Sequence, residues 1–110
     1  MRVSFLIKGF LLSLALVMTP LAVQAEEPVW IDVRTQAEYQ QNHIEGDPLI
    51  PHKNIVAQVT ERFPEKDTEI RLYCRSGNRA GIAKSALEEA GYTNVKNMGG
   101  IADAREVRGL

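Results

Sequence analysis

The chain has 110 residues, 45% of them apolar, with 13 basic and 14 acidic side chains and a single cysteine, Cys74. That length allows one small domain, and a lone cysteine excludes an internal disulfide framework or a multi-cysteine zinc site. The near-balanced charge leaves no basic stripe for nucleic acid and no acidic run of the kind that marks a disordered tail.

Residues 1–25 hold 17 of the 49 apolar residues and read as a secretory signal peptide. Arg2 and Lys8 make its positive start, and Phe10–Met18 is an apolar stretch broken only by Ser13. Pro20 stops the helix, and Val23-Gln24-Ala25 presents a cleavage site before Glu26. Gly9–Val23 is 15 residues long and contains Thr19 and Pro20, short of the ~20 apolar residues of a membrane span. The expected mature protein is therefore residues 26–110, an exported domain without stable membrane association, whose small size and mixed surface fit a monomer. Its 11 basic and 14 acidic residues give a net charge of −3.

From there strand and helix patterns alternate. Val29–Val33 is a short β-branched and aromatic run, read as a buried strand with Trp30 in the core. Thr35-Gln36-Ala37-Glu38 is a capping-box signature, predicting a helix that fades near Asn42. Leu49-Ile50-Pro51 is a candidate second strand. Pro48 cannot donate to a ladder, so this strand is expected to be shortened, displaced or at an edge. Asn54 is positioned to cap a helix with Ile55, Val56, Val59 and Phe63 on its apolar face, ended by Pro64. Ile70–Cys74 reads as a third strand, and a helix follows from about Arg79 to Ala90. Its apolar positions are Ile82, Ala83, Ala86, Leu87 and Ala90, and Gly91 is its stop. Val95-Lys96-Asn97 is a short strand before a Gly99-Gly100 turn. The tail Ile101–Leu110 is weakly patterned, with one helical turn and a frayed end expected. This alternation predicts an α/β domain with a mostly parallel sheet flanked by helices.

Ligands of open α/β sheets bind beyond the carboxyl ends of the strands, and Cys74 stands at such an end. The N–H groups of Arg75 to Ala80 are placed to curl into an anion-binding nest at the start of the next helix. Gly77 permits the turn, and Arg75 and Arg79 add two positive charges. These surroundings favour thiolate over thiol. The plainer alternative is a small buried cysteine at the end of a core strand. Arginines in a polar turn are poor company for a core residue.

The run Cys74-Arg75-Ser76-Gly77-Asn78-Arg79-Ala80 resembles the active-site loop of the rhodanese-type sulfurtransferases. Trp30-Ile31-Asp32-Val33-Arg34 with Glu38-Tyr39, then His43-Ile44-Glu45-Gly46, then Met98-Gly99-Gly100-Ile101 resemble that family's other landmarks, in the right order. The resemblance implies a single rhodanese-like domain and a thiosulfate sulfurtransferase that needs no metal or organic cofactor. Cys74 would take sulfur from thiosulfate as a persulfide and pass it to a thiol or, in the standard assay, to cyanide. Arg75, Ser76, Gly77, Asn78, Arg79 and Ala80 would bind the substrate, with Arg75 and Arg79 attracting the dianion. In this family six-residue loops such as Cys74 to Arg79 go with sulfur transfer, and seven-residue loops with phosphatases and arsenate reductases. Asp32 and Arg34 are either a charged support for the loop or an ordinary strand-end ion pair. A thiolate already ionised needs no general base, so His43 is expected to pack or hydrogen-bond at a helix end, and His52 to lie at the surface. The aromatic residue that often follows the Gly-Gly landmark is absent after Ile101. The alternative function is a persulfide carrier delivering sulfur to a partner protein.

Overall fold

The computed structural model describes residues 27–110; the expected signal segment, residues 1–25, lies outside them. Three parallel strands form one sheet: β1 (Val29–Asp32), β2 (Ile70–Cys74) and β3 (Val95–Gly100), in spatial order β1-β2-β3. Parallel neighbours need crossover connections. Here α1 (Gln36–Gln41) and α2 (Ile55–Arg62) lie between β1 and β2, α3 (Asn78–Glu89) lies between β2 and β3, and α4 (Ile101–Arg108) follows. The sequence expectation of a small α/β domain with a parallel sheet holds.

Central β2 is buried at every position but Arg71, and its alternation splits the core in two. Ile70, Leu72 and Cys74 join Ile31, Val33, Ile55, Val59, Ala83 and Leu87 on the side of α2 and α3. Tyr73 turns the other way and packs with Ile44 and Ala104, and with Trp30, Met98 and Ile101 at their rim. Trp30 is thus half-buried rather than core, with the guanidinium of Arg108 4.2 Å from its ring centre. Ile82 and Val56, read as apolar-face positions, instead face solvent at 53% and 36% exposure. Each falls one position off the arc that meets the sheet.

The capping box forms as the sequence predicts. Thr35 Oγ1 accepts from the Glu38 N–H at 3.2 Å, while Glu38 Oε1 accepts from the Thr35 N–H at 2.9 Å. Asn54, by contrast, makes no side-chain cap; α2 grows out of a 3₁₀ turn at His52–Asn54. His52 is half-buried in that turn, its N–H donating to the Val33 carbonyl at 3.2 Å. His43 stacks on Tyr39 with ring centres 3.9 Å apart and donates from Nδ1 to the Tyr39 carbonyl, the helix-end role expected of it.

The Leu49-Ile50-Pro51 strand is shortened and at an edge, as Pro48 predicts: only a single parallel bridge between Asp32 and Leu49 forms, on the outer edge of β1. Prolines at 48 and 51 remove the donors a longer ladder would need. The tail, by contrast, needs correction, for it is no frayed end. β3 runs through Gly100 without a separate turn, and α4 begins at once. Asp103 Oδ2 accepts from the Gly100 N–H at 2.8 Å, and Gly109 ends the helix in the left-handed conformation. Arg108 then grips Asp47 with two bonds of 2.7 and 3.1 Å. Asp47 is 6% exposed and also accepts from the Tyr73 hydroxyl at 2.6 Å. Burial first, and the Asp47 carboxylate second, push the Tyr73 phenol well above its ordinary range.

Candidate active site

Cys74 ends β2, and the chain turns immediately into Arg75-Ser76-Gly77 before α3 begins. Gly77 makes the turn possible: it sits at φ 101°, a left-handed conformation that costs a side-chain-bearing residue free energy. Its N–H donates to Cys74 Sγ at 2.9 Å. Burial of the thiol, which is 1% exposed, works against ionisation. The N–H groups of Ala80, Ser76, Gly77 and Arg79 work for it and together prevail, so the Cys74 pKa lies below its ordinary value. Four N–H groups of the loop thus face the Cys74 sulfur.

The two loop arginines differ. Arg75 is exposed and, among the described residues, makes no ion pair. Arg79 is half-buried and forked onto Glu38, with Nη1–Oε1 at 2.7 Å and Nη2–Oε2 at 3.0 Å. The Arg79 hydrogen bonds lead the causes that hold the Glu38 carboxyl down at about 2, with the Thr35 N–H adding to them. Most of the Arg79 charge is therefore spent on Glu38, and Arg75 is the cation left facing solvent.

Asp32 and Arg34 form a buried fork at the end of β1. Arg34 Nε lies 2.9 Å from Asp32 Oδ1, and its Nη2 lies 2.8 Å from Oδ2. Arg34 Nη2 also donates to the Asn42 carbonyl at 2.7 Å, closing the C-terminus of α1. Among the described residues neither makes a hydrogen bond to residues 74–80. What they hold is α1, the helix that carries Glu38 to Arg79. A cleft of about 300 Å³ opens here, lined by Arg34, Glu38, Gln41, Asn42, Arg75 and Ile101.

Glu38, Asn97 and Gly100 escaped the sequence reading as site residues. Glu38 was visible as a capping-box acid and as part of a family landmark, but not as a partner of the loop. Gly100 pairs with Cys74 across a register shift, and a Cβ there would collide with the Arg75 carbonyl oxygen. Asn97 donates from Nδ2 to the Gly77 carbonyl at 2.9 Å.

The profile of the rhodanese-like domain matches residues 20–105. The chain belongs to the rhodanese-like family. It is 42% identical over 96 residues to thiosulfate sulfurtransferase PspE of Escherichia coli, covering 87% of this chain and 90% of that one. Chloroplastic thiosulfate sulfurtransferase 16 of Arabidopsis thaliana is 33% identical over 92 residues, covering 74% of this chain and 76% of that one. A solved Escherichia coli structure described as rhodanese with anions superposes with a TM-score of 0.66 at 40% identity, over 70% of this chain and 91% of that one. The expected rhodanese-like fold and sulfurtransferase class both hold. Ile101, which follows the Gly99-Gly100 landmark and begins α4, lines the cleft.

Proposed function

We propose that the protein is a thiosulfate sulfurtransferase that carries the transferred sulfur as a persulfide on Cys74. The observation that carries this reading is the convergence of loop N–H groups on Cys74 Sγ, with Gly77 N at 2.9 Å. In the first half-reaction the thiolate attacks the outer sulfur of thiosulfate. An Sγ–S bond forms, the S–S bond of thiosulfate breaks, and its electron pair leaves with sulfite. In the second, a thiophilic nucleophile such as cyanide or a thiolate bonds to the outer sulfur, and the Sγ–S pair returns to Cys74. Atoms and electrons balance without an outside oxidant, and two separated half-reactions give ping-pong kinetics.

Arg75 recruits the dianion, since its guanidinium is free at the mouth of the loop. The loop N–H groups stabilise the charge on the bound sulfur. The tight approach of Gly100 to the Arg75 carbonyl supports a cradle sized for one sulfur atom rather than a tetrahedral oxyanion. Residues 1–25 act as an export signal in this reading and place the enzyme in the periplasm.

Intact-mass measurement after thiosulfate treatment tests the mechanism. The wild type is expected to gain one sulfur atom, and Cys74→Ser none, with loss of thiocyanate formation from thiosulfate and cyanide. An unmodified wild type, or full activity in Cys74→Ser, would refute the persulfide cycle.

A further inference from the structure

β2 and β3 slip out of register beside the thiol: Leu72 pairs with Asn97, but Cys74 pairs with Gly100. Two steps along β2 are matched by three along β3, so β3 bulges at Met98 and Gly99, with Gly99 at φ 87°. One side chain sits at the root of this bulge. Asn97 Oδ1 accepts from the Gly99 N–H at 2.9 Å, which fixes the bulge, and Asn97 Nδ2 donates to the Gly77 carbonyl at 2.9 Å, which fixes the loop. α3 lies against this amide at Gly81, a helix-interior glycine that is costly on propensity alone. A Cβ at Gly81 would stand 3.4 Å from Asn97 Nδ2.

We propose that Asn97 is a positioning residue for the sulfur cradle, a latch whose amide sets the orientation of Gly77 and so keeps the Gly77 N–H on Cys74 Sγ. The carbonyl that Asn97 holds and the N–H that meets sulfur belong to the same residue. Gly77 has no side chain to resist rotation, so its conformation must be held by its hydrogen bonds. The Gly81 N–H, at 2.9 Å, holds the same carbonyl from within α3. Asn97 holds it from the sheet. The strand bulge and the loop are thus locked by one amide, whose side-chain bonds go to Gly77 and Gly99 rather than to Cys74.

This inference deepens the proposed function and rests on it for its effect on turnover, but its first readout, the ionisation of the thiol, needs no sulfur transfer. The test is the pH dependence of Cys74 alkylation by iodoacetamide in wild type, Asn97→Ala and Asn97→Ser. Serine retains a short oxygen acceptor for the Gly99 turn and cannot reach Gly77. Both variants are expected to raise the alkylation midpoint by about half a unit to one unit, and to lower thiosulfate turnover at neutral pH roughly threefold to tenfold. A purely structural Asn97 would lower Tm and leave the midpoint at its wild-type position. Unchanged midpoints overturn the proposal, and Asn97→Ser decides the matter should the alanine variant not fold. Shifted midpoints alongside a wild type that transfers no sulfur would uphold the latch and refute the proposed function.

Discussion

At the scale of single residues, the site is an arrangement of charges in which Arg75, among the described residues, is the loop cation without an ion pair. Glu38 does two tasks with one carboxylate, capping α1 through the Thr35 N–H and clamping Arg79 at the start of α3. Its pKa falls from 4.5 to about 2 on folding. Because the folded value is the lower one, the stabilisation is full above pH of about 4.5 and is lost as pH falls toward about 2. It is on the order of 2 kcal/mol. Glu38→Gln is therefore expected to melt below wild type at neutral pH, with the difference in Tm closing across that acidic window. A constant gap at all pH values would show that the charge of Glu38 does not carry the effect. Cys74 and its loop were legible in the sequence because they are contiguous: strand end, turn glycine and helix start follow one another within seven residues. Glu38 meets Arg79 across 41 positions and Asn97 meets Gly77 across 20. Contacts of that kind are set by how elements pack, and no local pattern announces them.

At the scale of elements, the same distinction separates what could be read from what could not. The box at Thr35 and Glu38 and the stop at Gly91 are local signals, and both ends fall where they predict. The tail looked weak because Ile101–Leu110 has little apolar pattern of its own. What orders it is a partner 61 residues away: Arg108 grips Asp47, which Tyr73 also engages, and Ala104 packs on Tyr73. Asp47 lies in the very segment where Pro48 disturbs the edge strand. The segment that breaks the sheet pattern thus supplies the anchor for the last helix. Removing one member of a buried charged pair strands the other. Arg108→Ala should lower unfolding free energy by about 2 kcal/mol, measured by urea titration, with the Cys74 alkylation rate little changed. A loss below about 0.5 kcal/mol would mean that water replaces the guanidinium at no cost.

At the scale of the whole molecule, charge works against the proposed donor. Residues 26–110 carry a net charge of −3, which repels a dianion at long range, while Arg75 attracts it at short range. Salt screens both contributions over about 8–10 Å at physiological ionic strength, so in the wild type the two partly cancel and kcat/KM varies little with salt. Arg75→Ala leaves repulsion alone. Its KM for thiosulfate should rise roughly fivefold to tenfold at low ionic strength, and its kcat/KM should increase as salt is added. A variant whose kcat/KM falls with salt would mean that another cation, such as Arg79 released from Glu38, does the recruiting.

The depth of Cys74 makes the proposed cycle a sieve with two mesh sizes. A cysteine with 1% exposure admits only a slender attacking partner, which thiosulfate is and a folded protein or bulky disulfide is not. Once loaded, the reactive atom stands one S–S bond higher, about 2 Å nearer the rim. The resting enzyme is thereby sheltered from large oxidants and mixed disulfides, whereas the charged enzyme offers its cargo to acceptors too broad to have reached the bare thiol.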